Sequence, residues 1–346
     1  MKEIITSKKD ENQSLKKFLF RYLKAAPSSF VYKMLRKKNI TLNGKKADGN
    51  EMLKEGDVIK LFLSDETIDK FSGEEINGIP SDDKAFRDVK IIYADNDVLI
   101  MNKPAGLLTQ KAALEDVSLN DFVLSYAMEK GVITAEESRH FRPAVVNRLD
   151  RNTSGIVIAG LSPDALRVLT GIIRSRKVDK YYITYVSGDF SKLSGSSYNF
   201  SAYIRKDEGD NVSFVINEKE FEKLSDGKKK MYDRIETVFQ YEKSGVNILT
   251  DKSIEVSRLR VKLLTGKSHQ IRASLKYLGY PVIGDYKYGD PEINKSLRKN
   301  IGIKHHILHA YEVVFPENVI INGEISEISG RSFKADLPAQ LKEIIQ

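Results

Sequence analysis

The sequence predicts an α+β protein in two parts, a small basic α/β module followed by a larger domain built on a mixed, mainly antiparallel sheet. Three observations lead to this prediction. Positive charge is concentrated near the start of the chain, two amphipathic helix patterns there precede a hairpin signal, and from Val89 onward short β-rich runs alternate with a few helical patterns. At 346 residues, 41% of them hydrophobic, the chain can form two or three domains with real cores.

The excess positive charge of the chain resides in its first 64 residues. Residues 1–64 contain 15 Lys and Arg against 7 Asp and Glu, so they carry 15 − 7 = +8, whereas residues 65–346 contain 41 of each. A basic module ahead of a neutral body is typical of a domain that docks a polyanion, because phosphate contacts gain affinity by releasing counterions. A basic surface that serves only solubility would give the same count.

Composition narrows the classes of chemistry. The chain has no cysteine, which excludes disulfides, thiolate zinc sites and cysteine nucleophiles. No run approaches the roughly 18 to 20 apolar residues of a membrane helix, and the first ten residues are charged rather than signal-like. Neither a P-loop nor a GxGxxG motif occurs. We therefore expect a cytoplasmic protein that needs no cofactor.

The basic module should contain two helices and a hairpin. Residues 14–24 carry apolar side chains at three- and four-residue spacing, which predicts an amphipathic helix. A second helix is predicted near Phe30–Lys38, where a cluster of cations suits a helix C-terminus. Asn43-Gly44 is the favoured two-residue hairpin turn, and a further strand is predicted from Val58 to Leu63.

The rest of the chain is predicted to be a linker and a second domain. Residues 65–88 are polar and turn-rich, which indicates an interdomain linker before a domain at 89–346. Ser162 as N-cap and Pro163 in the first turn predict a helix, which ends in basic residues. Residues 190–250 are polar and rich in lysine, with surface loops expected at 207–210 and 227–230.

One aspartate stands out as a chemical candidate. Asp150 lies between Arg148 and Arg151, in a polar loop that leads into the apolar run Ile156–Ala159, a predicted buried strand. The positive field of the two arginines would keep the carboxylate ionised at neutral pH, and an ionised, positioned carboxylate can act as nucleophile or base. Taken alone, such an aspartate is more often part of a surface ion pair or a turn cap.

Residues 12–64 resemble the S4 RNA-binding domain. The resemblance rests on the two basic helices, the segment from Lys38 to Lys45 and the later Gly56-Asp57, and it departs from the family at Ser14-Leu15-Lys16, where an arginine and an acidic residue are usual. It implies that domain 1–64 docks structured RNA. The candidate RNA-docking residues are Lys16, Lys17, Arg21, Lys33, Arg36, Lys37, Lys38 and Lys45. A small module that binds protein is the alternative.

Four segments, in order, resemble the RluA-type RNA pseudouridine synthases. The segment Arg148-Leu149-Asp150 with Thr153-Ser154-Gly155 is similar to the sequence around the family's catalytic aspartate. Residues 102–106 resemble its lysine-proline-glycine turn, and residues 180–182 its lysine-x-tyrosine motif. The longest match runs from residue 264 to residue 289. The resemblance covers most of residues 89–315 and implies that domain 89–346 is a pseudouridine synthase catalytic domain.

The resemblance implies a reaction, the isomerisation of uridine to pseudouridine in RNA, with large-subunit (23S-type) ribosomal RNA or an assembling large subunit as the implied partner. Asp150 would attack ribose C1′ or remove the 2′ proton of a flipped uridine, and Arg272 would pair with Asp150. Tyr182 would stack on the base and accept or relay the C5 proton. Arg148 would fill the gap left by the base. The other predicted substrate-binding residues are Lys103, Lys180, Leu264, Lys267, His269, Gln270 and Ile271.

Several of these assignments have alternatives. A tyrosine such as Tyr182 in a β-rich run is more often simply packed, and Arg272 alone could be a surface cation. Leu264 and Ile271 are pocket wall or core. Histidines 305, 306 and 309 suggest a metal site, but the apolar residues between them predict a strand instead, so no metal is expected.

Two other functions stay open for the whole chain. A noncatalytic RNA-binding or ribosome-assembly factor could retain the same scaffold, and a base glycosidase could use a carboxylate near C1′ to release the base to water. Asn147 stands where relatives often have histidine, and the lysine-rich stretch between the tyrosine and arginine motifs could alter target choice. A monomer is the default for a chain with its own RNA-docking module.

Overall fold

The computed structural model describes residues 1–72, 83–113, 115–139, 141–247, 254–338 and 344. These residues form a small N-terminal unit with a four-stranded sheet and a larger C-terminal unit with an 11-stranded sheet and a separate two-stranded sheet. The middle of the predicted linker, residues 73–82, lies outside the described residues. Within the described ranges, no helix is long and apolar enough to cross a membrane.

The N-terminal unit packs helices on a four-stranded sheet. Its strands are β1 (Lys2–Ile5), β2 (Ile40–Leu42), β3 (Lys45–Lys46) and β4 (Val58–Leu61), and its helices are α1 (Leu15–Tyr22), α2 (Ser28–Arg36) and α3 (Asp65–Ser72). The sheet order is β1-β4-β2-β3. Asn43 and Gly44 both have positive φ, 51° and 72°, as a type I′ turn requires, so the predicted hairpin is confirmed. The edge strand β1 was not predicted.

The helix α3 extends this unit past residue 64. Ile68 is 3% exposed and belongs to the same core as Leu15 and Leu19. The ring of Phe71 lies 4.7 Å from that of Phe30, centroid to centroid. The structure thus places residues 65–72 in the N-terminal unit rather than in a linker. Only two apolar side chains, three residues apart, face the core, so the polar composition concealed the helix.

The C-terminal unit alternates long strands with shorter helices. Its strands are β5 (Lys90–Ala94), β6 (Val98–Lys103), β7 (Ala144–Val145), β8 (Ser154–Gly160), β9 (Asp179–Ser187), β10 (Ser197–Asp207), β11 (Val212–Ile216), β12 (Asp233–Asn247), β13 (Ile254–Leu263), β14 (Leu308–Val314), β15 (Ile320–Ile321), β16 (Glu324–Ile325) and β17 (Ser332–Lys334). Its helices are α4 (Leu119–Glu129), α5 (Pro163–Arg174), α6 (Ser191–Ser194), α7 (Glu218–Glu222), α8 (Asp226–Lys229), α9 (Gln270–Tyr277) and α10 (Pro291–Ile301). Short 3₁₀ turns occur at Lys84–Phe86 and Glu137–Arg139, and a third, Lys8–Asp10, lies in the N-terminal unit.

A single large sheet organises this unit. The strand order is β11-β10-β12-β13-β9-β14-β8-β6-β5, with β17 beside β14 and β7 beside β8. The described strand pairs are antiparallel except for β8 and β14, which run parallel. The predicted mixed, mainly antiparallel sheet is confirmed. The helix prediction at Ser162 is also confirmed, because the Ser162 hydroxyl accepts from the N–H of Ala165 and α5 starts at Pro163.

The central strand β8 is buried on both faces. Val157 and Ala159 belong to one core cluster, and Ile156 and Ile158 to another on the opposite side of the sheet. The continuous apolar run after the Asp150 loop therefore reflects two covered faces. The loop that carries Asp150 is therefore attached directly to a strand that is buried on both faces.

The lysine-rich region 190–250 contributes more structure than its composition suggests. Strands β10, β11 and β12 extend the sheet at one edge. The loop predicted at 207–210 lies at the β10–β11 connection, whereas residues 227–229 of the loop predicted at 227–230 lie in the short helix α8.

Candidate active site

A fully buried lysine shapes the loop that carries Asp150. Lys103 ends β6, is 0% exposed, and donates from Nζ to the carbonyls of Pro104, Leu107 and Arg151 at 2.8–3.0 Å. The three protons of its ammonium group are thereby satisfied, and two loops are tied together. Burial lowers the pKa of Lys103 to about 7, although the charge of Asp150 acts in the opposite direction.

Arg272 links Asp150 to a second, fully buried carboxylate. It lies on α9, is 5% exposed, and donates from Nη1 to Asp150 Oδ2 at 2.9 Å. Its Nε and Nη2 donate to the two carboxylate oxygens of Asp285 at 2.6 and 2.9 Å. Asp285 also accepts from the backbone N–H groups of Lys287 and Tyr288. The guanidinium is therefore held in one orientation, with Nη1 directed at Asp150.

The charges of Arg272 and Asp285 stabilise each other. Burial by itself would lower the pKa of Arg272 and raise the pKa of Asp285. Both pKa values are nevertheless shifted the other way, because the hydrogen bonds and the opposite charge outweigh the loss of solvent. Both groups are charged at neutral pH.

His269 lies beside the same oxygen of Asp150. Its Nε2 is 3.7 Å from Asp150 Oδ2, and its Nδ1 is 2.9 Å from the hydroxyl of Tyr288. The backbone of His269 is left-handed, with φ 56° and ψ 16°, which costs roughly 1 kcal/mol or more for a residue with a side chain. Burial, assisted by the charge of Arg272, lowers the pKa of His269 despite Asp150, so the imidazole is neutral at pH 7.

Tyr182 faces the site from β9. It is 8% exposed and pairs in register with Val261 on one side and Ala310 on the other. Burial, and then the negative charge of Asp150, raise the pKa of its phenol above the ordinary value, so the hydroxyl stays protonated. Tyr181 stacks with the guanidinium of Arg260 instead, at 4.4 Å. Alternation along the strand thus selects Tyr182 as the tyrosine near Asp150.

Asp150 itself remains accessible. Its side chain is 32% exposed, and the contacts of both Arg272 and His269 fall on Oδ2. The neutralising cation is Arg272, which corrects the expectation that the flanking arginines hold the charge. Arg148 is exposed, and Arg151 donates from Nε to the carbonyl of Gly106 at 3.2 Å. Neighbours in a loop can point in different directions, so Arg148 and Arg151 do not have to face Asp150. Arg272 reaches Asp150 from the separate helix α9.

Two buried histidines hold the far end of the same loop. His306 Nε2 lies 2.9 Å from the hydroxyl of Thr153, and His309 Nδ1 lies 2.8 Å from the hydroxyl of Ser154. Burial lowers the pKa of His306 to about 3 and that of His309 to about 4, so both are neutral at pH 7. These contacts assign both histidines to the support of the Asp150 loop.

Three predicted substrate-binding residues are instead buried in the protein. Lys103 donates its hydrogens to three backbone carbonyls. Gln270, 2% exposed, accepts from the Thr265 hydroxyl and donates to the Thr237 hydroxyl. Ile271, 4% exposed, lies in the main core. A motif contains the residues that build a site as well as those that touch the substrate, and the sequence does not separate the two.

The other predicted substrate-binding residues lie at or near the surface. Leu264 is 37% exposed at the end of β13, so it is not a core residue, and its place in the pocket wall stays a prediction. Lys267 is exposed and pairs with Asp233 at 2.8 Å. Lys180 is partly buried, and burial, together with the charge of Arg176, lowers its pKa.

Most of the candidate RNA-docking cations are exposed on the N-terminal unit. Those exposed are Lys17, Lys33, Arg36, Lys37, Lys38 and Lys45. The other two, Lys16 and Arg21, are partly buried. Lys16 donates to Asn50 at 2.6 Å, and burial lowers the pKa of Arg21 beside Asp10. The exposed cations of α2 and the residues after it are thus the better candidates for phosphate contacts.

Asp285 and Tyr288 are the site residues that sequence reasoning missed. Both lie inside the longest motif, but no periodicity indicates that Asp285 faces Arg272. The glycine at position 284 was a signal, because a Cβ atom there would lie 2.4 Å from the carbonyl oxygen of His305. The backbone just before Asp285 therefore packs closely against another segment, and Asp285 itself is buried. Asn147, the departure from its relatives, bonds Ile156 and Ile158 of β8 and so has a structural role.

Comparison with known proteins identifies the family. The RNA pseudouridylate synthase model matches residues 97–277, and the S4 domain model matches residues 13–59. An RNA pseudouridine synthase of Mycoplasma capricolum is 30% identical over 301 residues, which cover 85% of this chain and 87% of the relative. The ribosomal large subunit pseudouridine synthase C of Haemophilus influenzae is 27% identical over 353 residues, which cover 100% of this chain and 94% of the relative.

The fold agrees with this comparison. The structure of human RNA Pseudouridylate Synthase Domain Containing 4 has a TM-score of 0.51 at 17% identity, over 72% of this chain and 88% of that chain. The family model spans more than half of the sequence, and it includes Asp150, Tyr182 and Arg272. The chain therefore belongs to the RNA pseudouridine synthases, isomerases that convert uridine to pseudouridine, and carries an S4 domain ahead of its catalytic domain.

Proposed function

We propose that this enzyme converts specific uridines of large-subunit ribosomal RNA to pseudouridine, with Asp150 as the residue on which the chemistry depends. Relatives named ribosomal large subunit pseudouridine synthase C and D support this class of target. The observation that carries the role of Asp150 is the line of contacts from Asp285 through Arg272 to Asp150, buried at one end and one-third exposed at the other. Such a line orients a carboxylate and leaves it open to a ribose.

The reaction balances without an external electron carrier. The N1–C1′ bond breaks, the base rotates, and C5 joins C1′; C5 then loses its proton and N1 gains one. Asp150 starts this sequence in one of two ways. It attacks C1′ and forms a sugar ester, which breaks when C5 joins C1′, or it removes the 2′ proton and forms a glycal, and that proton returns to C2′ when C5 joins C1′. Oδ1, which the contacts of Arg272 and His269 leave unused, is the oxygen we assign to either step.

Tyr182 and Arg148 serve the flipped uridine. A neutral, buried phenol suits stacking on the base. To relay the C5 proton, the hydroxyl of Tyr182 has to release its own proton as it accepts the one from C5. Extrusion of the uridine costs a few kcal/mol of stacking and pairing. The exposed Arg148, two residues before Asp150, fills the space that the base leaves.

The S4 domain supplies affinity in this proposal. Its exposed cations contact phosphates and position the RNA, while the catalytic domain selects the uridine. Because ribosomal RNA is the target, the enzyme acts in the cytoplasm, and a chain with its own docking domain acts as a monomer.

Tritium release from C5 of uridine in unmodified large-subunit ribosomal RNA tests the proposal. The native chain should release tritium, Asp150→Asn should release none while binding RNA nearly as well, and the exposed control Glu208→Gln should match the native chain. The RNA mass should stay unchanged, because isomerisation loses no atoms. Loss of the base would establish a glycosidase instead, and native-like release by Asp150→Asn would refute the role of the aspartate.

A further inference from the structure

Tyr288 joins three groups at the edge of the site without a role in the proposed chemistry. It is 5% exposed, and its hydroxyl accepts from the backbone N–H of Ser213 at 2.6 Å. The same hydroxyl lies 2.9 Å from Nδ1 of His269, and the guanidinium of Arg272 lies 5.1 Å from the centre of its ring. Tyr288 thus contacts both of the side chains that flank Oδ2 of Asp150.

The hydrogen of this hydroxyl can select one tautomer of His269. A phenol has one hydrogen to donate, and the N–H of Ser213 can only donate. The hydroxyl of Tyr288 has the Ser213 side chain and Nδ1 of His269 as hydrogen-bonding partners, and it can donate to Nδ1 only when Nδ1 carries no proton. A neutral imidazole then carries its hydrogen on Nε2, the nitrogen that faces Asp150 at 3.7 Å.

We infer that Tyr288 is a positioning residue that holds His269 in the tautomer with hydrogen on Nε2, so that His269 serves as a second donor to Asp150 beside Arg272. This inference rests on the proposed role of Asp150. A separation of 3.7 Å is too long for a hydrogen bond in the free enzyme. Catalytic hydrogen bonds often shorten only when substrate is bound, and a small rotation of the imidazole is enough here.

The groups around His269 support a neutral imidazole. Burial is the largest influence on the pKa of His269 and lowers it; Asp150 and Asp285 raise this pKa, and Arg272 and Lys287 lower it further. An imidazolium would carry hydrogen on both nitrogens, so Nδ1 could not accept from the hydroxyl of Tyr288.

The support for Tyr288 comes from the lysine-rich region to which the sequence assigned no catalytic part. Ser213 lies on β11, and its own hydroxyl donates to the carbonyl of Ser268, next to His269, at 2.9 Å. Lys287, next to Tyr288, donates from Nζ to the carbonyls of Asp210 and Asn211. The edge of the sheet is thereby fastened to both loops that hold the His269–Tyr288 pair.

Nitrogen NMR of the free enzyme tests the tautomer without any substrate. With histidine labelled by ¹⁵N, long-range ¹H–¹⁵N correlations distinguish a ring with hydrogen on Nε2 from one with hydrogen on Nδ1, and the spectrum of His269→Gln identifies the signal. We expect the Nε2–H form in the native chain and a shift toward the Nδ1–H form in Tyr288→Phe. A native His269 that carries hydrogen on Nδ1, or on both nitrogens at pH 7.5, overturns the inference.

Single-turnover kinetics on the ribosomal RNA substrate test the consequence. Tyr288→Phe should slow the reaction by about 10-fold, the lower range for a lost hydrogen bond to a charged group, with RNA affinity unchanged. Tyr286→Phe, at an exposed tyrosine two residues away, should react at the native rate. His269→Gln places an amide N–H near the position of Nε2 and should retain far more activity than His269→Asn, whose amide reaches only the position of Nδ1.

The combination of the two changes separates positioning from packing. In the His269→Gln background, Tyr288→Phe should cost less than about 2-fold, because glutamine has no tautomer to fix. An equal loss in both backgrounds would make Tyr288 a packing residue only and overturn the inference. If Tyr288→Phe does not fold, the inference is still tested in two ways. The native NMR signal reports the tautomer of His269, and the comparison of His269→Gln with His269→Asn reports whether a donor at the position of Nε2 is needed. Failure of the native chain to modify ribosomal RNA would refute the proposed target and leave the NMR result standing.

Discussion

Asp285 accepts two parallel hydrogen bonds from Arg272, at 2.6 and 2.9 Å, and so determines which nitrogen of the guanidinium is presented to Asp150. Asp285 is 0% exposed and Arg272 is 5% exposed. Because Nε and Nη2 of Arg272 both donate to Asp285, the guanidinium is oriented with Nη1 toward Asp150. The geometry of the exposed Asp150 therefore depends on a residue in the interior of the domain.

Asp285→Asn should weaken both the fold and the reaction. Breaking a buried ion pair costs about 3 to 5 kcal/mol, and we expect the lower end because Asp150 still neutralises Arg272. The turnover rate should fall by at least about 10-fold, since Arg272 loses its fixed orientation. Urea denaturation and single-turnover rates measure the two effects. Glu208→Gln, in an exposed pair with Lys206, is the control and should leave both unchanged.

Gly155→Ala should be severely destabilising. Gly155 has a φ of +111°, and a Cβ atom there would lie 2.2 Å from the carbonyl oxygen of Ala310 on the parallel neighbour β14. We expect a loss of at least about 3 kcal/mol in the free energy of unfolding. Gly171→Ala, in α5 with nothing within 4 Å of the added atom, should instead stabilise by up to about 1 kcal/mol. Similar urea midpoints for the two variants would contradict the close approach of β8 and β14.

His306 should make the fold sensitive to mild acid. Its pKa is about 3 when folded and about 6.5 when unfolded, so below pH 6.5 the unfolded chain binds a proton that the folded chain does not. The free energy of unfolding therefore falls as the pH drops from 6.5 toward 3, by about 1.4 kcal/mol per pH unit from this group. Its contribution is complete above pH 6.5.

His306→Gln tests this pH dependence, since a glutamine amide can still bond to Thr153. Between pH 7 and pH 5, the variant should lose about 2 kcal/mol less stability than the native chain, measured by urea denaturation at each pH. The exposed neighbour provides the control, and His305→Gln should change the pH dependence far less. Equal pH dependence in the native chain and His306→Gln would show that His306 does not titrate as described.

Exposed cations of the S4 domain should set the salt dependence of RNA binding. Replacing Lys33, Arg36 and Lys37 by glutamine should reduce the slope of log affinity against log salt by about 2 to 3, nearly one for each lost phosphate contact. The matched control replaces three exposed cations of α10, namely Lys295, Arg298 and Lys299. Binding titrations at several salt concentrations measure both slopes. An equal reduction by the two triple variants would mean that the cations act only through net charge.

Local patterns were sufficient for much of the fold. The type I′ turn at Asn43-Gly44, the helix that starts at Pro163 and the buried strand after Asp150 follow from conformational preferences and apolar spacing within a few residues. The helix at 65–72 escaped prediction because its sequence is polar and only Ile68 and Phe71 pack on the N-terminal core, although Ser64 accepts from the N–H of Thr67 at its start.

The chemistry of its loop pointed to Asp150, whereas Tyr182 and Arg272 became candidates because their segments resemble the RNA pseudouridine synthases. Their relationships required the tertiary structure. Arg272 reaches Asp150 across 122 residues of sequence, and the Ser213 backbone reaches Tyr288 across 75. The burial of Lys103, the pairing of Arg272 with Asp285 and the hydrogen-bonding partner of His269 were decided by the packing of distant segments, because desolvation and hydrogen bonding depend on which groups the fold brings together.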